Sequence, residues 1–376
     1  IIRSDRFVNP EIDQVDITAT FMEITLNESL LHPFVTGQLM VIDDNSVFER
    51  ISFSGTETID VVIEYNEDLE DSVIVQKTFV LGAVKKTKRQ NDESKILIFQ
   101  LIDPHTFIDA SKKISRSYTG SGEEIIATIA NNELAKNVDI SFVGEYPSSQ
   151  GRFKYVVPYQ SPLQAMMTVC DRITSKNGSP FFLSASVYDE NLRITSFDKV
   201  MFDGPYNESI PFLFAQSETN YDANASPGQQ AFYVNKYKEI MQADTFTLMN
   251  RGGLSTVYKS YDVFEGTIID QHISIRKQLD KLQTQEIIDD TPQTVFNPFT
   301  TLDSANSREI STVTSNRTFP DVKSFHDVFS PGQARLKIDK RALMAALEKN
   351  QVSISVNGLG LFLGKVSVGQ VLRFHH

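Results

Sequence analysis

Residues 1–104 contain five short apolar segments, and this pattern leaves few folds open. Each segment is rich in β-branched and apolar residues, and polar turn residues separate one from the next. The segments are residues 17–26, 37–42, 58–65, 73–81 and 95–102. None has convincing helical periodicity, so we predict strands of a sandwich or barrel, with the charged segment 85–92 as a hairpin tip.

Residues 105–203 change to a mixed pattern. Ser121 and Glu124 form a capping-box motif ahead of apolar residues at helical spacing, which predicts a helix there. A second helix is predicted from Pro162, which suits the first helical position, with Gly178 as its stop signal. Two apolar runs, 180–187 and 192–197, flank a polar turn and predict a hairpin. Together these elements indicate an α+β module.

The remaining sequence alternates between loops and short strands. Residues 212–216, 231–241 and 258–275 contain strand-like runs, whereas the Ser-, Thr- and Asn-rich residues 300–317 are typical of loops or sheet edges. Residues 339–349 predict a strong helix, with Asp at its beginning and Lys at its end, and residues 352–356 predict a strand.

No residue pattern indicates catalysis, a cofactor or a metal ion. The common hydrolase, metalloprotease and nucleotide-binding motifs are absent from the sequence, and Gly358 to Gly364 have the wrong spacing for a dinucleotide loop. Cys170 falls in the apolar row of the predicted second helix, where a buried thiol is expected. The six histidines are scattered, and the adjacent His326 and Asp327 do not by themselves make a metal site. We therefore predict that the chain is not an enzyme.

Charge and cysteine content narrow the possible functions further. Acidic side chains outnumber basic ones by 48 to 36, giving a net charge of −12, which argues against tight binding of phosphate backbones. The same charge suits a passage through which DNA moves without being bound. A single cysteine excludes an internal disulfide, and the sequence has no apolar run of about 18 residues that would predict a membrane helix.

Several of these segments, in this order, resemble the baseplate hub protein of T-even-type contractile phages. They are also similar to the hub part of the valine–glycine repeat spike proteins of type VI secretion. The resemblance covers most of residues 14–200 and 335–374. The segments that carry it are 36–43, 55–63, 96–114, 118–129, 156–163, 178–183, 342–356 and 369–374.

The resemblance implies an α+β, mostly β fold with two related small tube-type β-barrels. Residues 1–104 would form the first barrel and residues 105–203 the α+β module. The second barrel would be split into 204–238 and 335–376 by an inserted domain, residues 239–334.

The resemblance also implies a structural function. Three copies would form a ring that adapts the six-fold tail tube to the three-fold central spike, within the tail baseplate of a virion assembled in the bacterial cytoplasm. Further implied partners are the baseplate wedge proteins and the tape-measure protein, which would pass through the channel, as would DNA. Strands 58–65 and 73–81 are expected to line or brace that channel, with Thr58, Asp60, Val62, Glu64, Val75, Lys77 and Phe79 as candidate channel-side residues.

Three alternatives remain at this point. A hub from a type VI secretion or contractile-bacteriocin particle would have the same physical design. A tail-associated peptidoglycan hydrolase would need a deep cleft with two carboxylates on its walls. An adhesin or carbohydrate-binding module would need aromatic platforms, and the absence of Trp weakens that reading.

Overall fold

The computed structural model describes the greater part of the chain, and the structural statements below concern those residues. They are residues 1–4, 14–43, 53, 55, 57–65, 73–89, 95–141, 151–176, 178–207, 209–214, 232–241, 246, 250, 255–262, 266–274, 308–314, 323–324, 331–347, 351–356 and 366–375. The pair His326 and Asp327 and most of the predicted inserted domain lie outside them.

The first seven strands form one antiparallel sheet. They are β1 (Ile2–Arg3), β2 (Gln14–Val15), β3 (Phe21–Ser29), β4 (His32–Asp43), β5 (Thr58–Tyr65), β6 (Val73–Arg89) and β7 (Lys95–Ile102). Their order is β2-β1-β5-β6-β7-β4-β3. Alternate side chains of the long strands, such as Phe79, Leu81, Phe99 and Leu101, are buried because successive residues of a strand point to opposite faces.

The structure corrects several strand boundaries in this sheet, and β4 begins at His32 rather than at residue 37. Residues 18–20 form a 3₁₀ turn, so β3 begins at Phe21 rather than at residue 17. The Asp16 carboxylate accepts hydrogen bonds from the backbone N–H and the hydroxyl of Thr18, which stabilises the turn locally. Strand β6 continues to Arg89, so Lys85 belongs to a strand and not to a hairpin tip. The rest of the predicted tip, residues 90–92, lies outside the described residues.

The prediction of a mostly β, α+β fold is confirmed, but the two barrels are not. The described strands of the seven-stranded sheet end at β2 on one side and at β3 on the other, and these two strands do not pair. None of the sheets formed by the described residues is closed.

The α+β module follows directly. Its helices are α1 (Pro104–Ser111), α2 (Gly122–Leu134), α3 (Pro162–Arg172) and α4 (Phe197–Phe202), and its strands are β8 (Ser117–Gly120), β9 (Val138–Ser141), β10 (Phe153–Val156), β11 (Phe181–Ala185) and β12 (Leu192–Ser196). The capping box of Ser121 and Glu124 is confirmed. Helix α3 ends at Arg172, six residues before the predicted stop at Gly178, because the chain turns to extended backbone at Ile173.

The last part of the chain returns to strands around one long helix. The strands are β13 (Phe212–Leu213), β14 (Val234–Met241), β15 (Ser255–Asp262), β16 (Thr267–Ser274), β17 (Arg308–Thr314), β18 (Lys323–Ser324), β19 (Gln351–Val356) and β20 (Phe374–His375), and the helix is α5 (Pro331–Leu347). The helix begins at Pro331, eight residues before the predicted start at Asp339, and proline suits the first position of a helix. Strand β17 is an edge strand, as the composition of residues 300–317 indicated.

The N-terminal sheet and the α+β module share one hydrophobic core. The same cluster of buried side chains contains Phe79 and Phe99 from the sheet and Ile126 and Met166 from α2 and α3. Burying large apolar side chains from both parts couples their stability. Among the described helices, none combines the length and the apolar character needed to cross a membrane.

Candidate assembly surfaces

The seven candidate channel-side residues lie on one pair of strands but on two opposite faces. In the β5–β6 register, Asp60 pairs with Thr78 and Val61 with Lys77. Because directly paired residues share a face, the first four and the last three candidates point in opposite directions. We call the face of Lys77, which points towards the α+β module, the inner face, and the opposite one the outer face. The outer face carries Thr58, Asp60, Val62 and Glu64, and the inner face carries Val75, Lys77 and Phe79.

The outer face of β5 and β6 is exposed and mainly polar. Val62 has 51% of its surface exposed and Glu64 is also exposed. Asp60 accepts a hydrogen bond from the Thr78 hydroxyl at 2.6 Å and forms an ion pair with Arg3 at 3.1 Å. None of the four candidate side chains on this face is a cation that could hold a phosphate group. The channel-lining role of these four residues stays a prediction.

The inner face connects the sheet to the α+β module. Phe79 is buried in the shared core, and Val75 is buried on the same face. The Lys77 ammonium donates to the carbonyl oxygens of Ser186 at 3.0 Å and Asp189 at 3.4 Å, at the β11–β12 turn. Burial lowers the pKa of Lys77, while the nearby Asp103 carboxylate acts in the opposite direction. Lys77 and Phe79 therefore join the sheet to the module, and none of the three side chains shares the outer face with the other four.

Strand β3 is an edge strand that exposes apolar side chains. Its only hydrogen-bonded partner in the described sheet is β4, and it is nine residues long. Phe21 and Met22, at its beginning, are 49% and 44% exposed. An open edge of this length with apolar side chains is a template for pairing with another chain. The sequence predicted the strand but not its place at the edge, because sheet order depends on contacts between distant residues.

The other end of β3 is tied to two distant segments. Glu28 accepts hydrogen bonds at one carboxylate oxygen from the Ser186 hydroxyl at 2.9 Å and the Val187 N–H at 2.5 Å. Its second oxygen accepts from the Val368 N–H at 2.9 Å. The sequence gave no sign of this role, because the three donors lie 158 to 340 residues away.

A polar cleft of about 480 Å³ next to β12 has three aspartates among its lining residues and is a place to look for the pair of carboxylates that a glycosidase needs. Its three aspartates each have a partner in the chain. Asp189 pairs with Arg193, Asp139 accepts from Asn191, and Asp203 pairs with Lys199. A glycosidase requires one carboxyl in an apolar setting opposite a second, ionised one. The three aspartates instead take part in two ion pairs and a hydrogen bond within the chain.

In the described part of the chain, neither the Cys170 thiol nor the side chains that could bind a metal ion lie in an environment suited to catalysis. Cys170 is 3% exposed, and burial raises the pKa of its thiol to about 12. A nucleophilic cysteine needs the opposite shift, so the predicted buried thiol is confirmed. The described residues contain no group of three His, Cys, Asp or Glu side chains that could hold a metal ion.

Comparison with solved structures shows which fold this is. The 43 kDa tail protein of prophage MuSo2 from Shewanella oneidensis matches 95% of this chain and 84% of its own, with a TM-score of 0.50 and 9% identity. A tail protein from Neisseria meningitidis MC58 matches with a TM-score of 0.47 and 14% identity, over 89% of this chain and 75% of its own. An E. coli component of the type VI secretion system matches with a TM-score of 0.33 and 8% identity, over 59% of this chain and 55% of its own. No family model and no curated protein matches the sequence.

The match to the prophage protein extends over nearly the whole chain, so it concerns the fold as a whole and not one module. At this identity it is evidence of fold alone. The resemblance to phage tail proteins that the sequence segments indicated is therefore confirmed at the level of the fold.

Proposed function

We propose that this chain is a structural subunit of a contractile phage tail and forms the trimeric hub of the baseplate. The observation that carries the proposal is the fold shared with a phage tail protein over 95% of the chain. The exposed apolar edge of β3 supports it, because a ring of subunits needs a surface through which neighbouring copies join. In this role the chain acts through its shape and catalyses no reaction.

The proposal includes a second barrel built from two separate stretches of sequence. Strand β13 pairs with β20, and β14 pairs with β19. Phe212, Phe232 and Val234 form a small separate core with Phe374 packed against it. These contacts support the division into 204–238 and 335–376 around an inserted domain 239–334, beside a first barrel in 1–104 and a module in 105–203.

The ring would join the tail tube to the central spike and contact the baseplate wedge proteins. Its channel would pass the tape-measure protein and then DNA. The outer face of β5 and β6, with Thr58, Asp60, Val62 and Glu64, is the proposed channel side. Its exposed Glu64 and the net charge of −12 support transit without binding, because like charges keep a phosphate backbone off the wall.

The test is the mass of the particle in solution. Sedimentation velocity of the full chain, alone and with the spike protein of the same particle, is expected to show a trimer in at least one condition. The double variant Phe21→Lys/Met22→Lys should abolish the trimer through charge on the open edge. Phe107→Lys is the matched control, because Phe107 is 42% exposed on α1 and not at a sheet edge.

Two results would overturn the proposal. One is a chain that stays monomeric in every condition, and the other is a trimer that the edge variant leaves intact. A zymogram with peptidoglycan tests the enzyme alternative directly. Clearing of the substrate by the purified chain would replace the structural role with a hydrolase.

A further inference from the structure

A groove of about 570 Å³ lies between α5, the end of α3 and strand β11. Its walls include Phe182 and Met344, and the turn between β3 and β4 contributes Leu31. Leu31 is 61% exposed although it stands beside these apolar walls. An exposed large apolar side chain at the border of an apolar groove is typical of an anchor point for a partner.

The groove also concentrates positive charge in an otherwise acidic protein. Lys337 and Arg341 lie four residues apart on α5, so they are neighbours on one side of the helix. Lys340 and Asp171 complete the charged lining. Burial lowers the pKa of Lys337, and repulsion from Arg341, Arg172 and Lys340 acts in the same direction. Among the described lining residues there are thus three cations and one carboxylate, within a chain of net charge −12.

Not all of these cations have the same role. Lys340 is buried and donates hydrogen bonds to three backbone carbonyl oxygens at the end of α3, so it serves the fold. Arg341 is exposed, and Lys337 is only partly buried. Like charges at this spacing destabilise a helix slightly. A partner with negative charge would remove that cost and gain the apolar contacts of the groove.

We propose that this groove binds an acidic peptide segment of a partner protein, with apolar side chains seated against Leu31, Phe182 and Met344. A nucleic acid fits less well, because the walls are largely apolar and the Asp171 carboxylate would face its phosphates. Carboxylates spaced along a peptide would pair with Lys337 and Arg341 while its apolar side chains fill the groove. The charges of the groove therefore select the partner, and the apolar walls supply contact area.

The proposed partner of the groove is a different protein and not a second copy of this chain. This assignment rests on the proposed function. Contacts between copies are placed at Phe21 and Met22, at the beginning of β3. The groove lies beside Leu31, past the other end of the same strand. At roughly 3.3 Å per residue the two surfaces are about 30 Å apart. The ring contacts would therefore leave the groove open to a second component of the tail.

Fluorescence anisotropy of a labelled short peptide, in which leucines alternate with glutamates, tests the proposal on the full chain. Binding should be saturable and should weaken with added salt. The double variant Lys337→Glu/Arg341→Glu should weaken it at least tenfold, and Leu31→Ser several-fold. Lys113→Glu, on an exposed residue outside the groove, is the matched control and should change nothing. The same peptide with glutamine in place of glutamate should bind at least tenfold more weakly.

Circular dichroism and thermal unfolding establish that the variants fold, and sedimentation reports self-association separately. A wild-type chain that stays monomeric in every condition but still binds the peptide would refute the hub and leave the groove proposal intact. Equal binding of the glutamate and glutamine peptides, or no effect of the double variant, would overturn the groove proposal. So would self-association that is lost in Lys337→Glu/Arg341→Glu but not in Phe21→Lys/Met22→Lys, since a second copy would then be the occupant.

Discussion

The Lys340 ammonium on α5 donates a hydrogen bond to the backbone carbonyl oxygen of Cys170 at 2.9 Å, at the end of α3. The same nitrogen donates to the carbonyl oxygens of Asp171 at 3.0 Å and Ile173 at 3.4 Å. The last carbonyls of a helix have no partners within it and carry partial negative charge. A cation from a residue 170 positions away therefore caps α3 and attaches α5 to the module.

Replacing Lys340 with methionine should destabilise the fold. The variant keeps much of the side-chain volume but removes the donor from three carbonyl oxygens, of which those of Cys170 and Ile173 accept in buried hydrogen bonds. Leaving such acceptors without a partner costs about 1–3 kcal/mol in the free energy of unfolding. Denaturant titration followed by circular dichroism measures this. Lys113→Met, on an exposed residue, should lie within about 0.5 kcal/mol of wild type. A wild-type midpoint for Lys340→Met would mean that water replaces the ammonium at no cost.

The buried Cys170 thiol predicts a loss of stability at high pH. Burial raises the pKa of this thiol from 9.0 to about 12. The folded chain therefore keeps a proton that the unfolded chain loses above pH 9. The contribution of this thiol to the free energy of unfolding is fully present below pH 9 and is lost as the pH rises towards 12. The loss should reach at most about 1.4 kcal/mol per pH unit.

Comparison with Cys170→Ala isolates the contribution of the thiol, because other titrating groups cancel in the difference. The free energy of unfolding of wild type, relative to the variant, should fall between pH 9 and pH 10.5. The chain has a single cysteine, so a thiol reagent at pH 8 should label the protein only when it unfolds. A constant difference, or fast labelling of the folded protein, would contradict the buried position.

Local signals predicted much of the secondary structure and little of its arrangement. The capping box at Ser121 and the proline at 162 act within one helical turn, so the sequence alone places both helix starts. The edge position of β3 depends on how all seven strands pair, and the roles of Glu28 and Lys340 depend on partners more than a hundred residues away. Alternation placed the candidate residues of β5 and β6 on strands but did not reveal that they divide between two faces. That division follows from the strand register, which pairing fixes.

The capping box gives a prediction with a small and well-defined effect. The Ser121 hydroxyl accepts from the Glu124 N–H at 3.4 Å, and the Glu124 carboxylate accepts from the Ser121 N–H at 3.0 Å. Ser121→Ala should lower the free energy of unfolding by about 1 kcal/mol, because an N–H at the start of α2 loses its acceptor. Ser117→Ala, an exposed position on β8, should change it by less than about 0.5 kcal/mol. Equal effects of the two variants in thermal unfolding would argue against the cap.

Glu28 gives the prediction that bears most directly on how the sheet is joined to the rest of the chain. Its two carboxylate oxygens accept three hydrogen bonds, from Ser186, Val187 and Val368. Glu28→Met keeps much of the side-chain volume but removes both acceptor oxygens. The expected cost is about 1–3 kcal/mol in the free energy of unfolding. Hydrogen exchange at the amides of Val187 and Val368 should accelerate together, because each loses the carboxylate oxygen that accepts its hydrogen bond. Glu23→Met, at an exposed position on the same strand, should leave both amides protected. Faster exchange at Val187 alone would mean that Glu28 holds the β11–β12 turn but not the C-terminal segment.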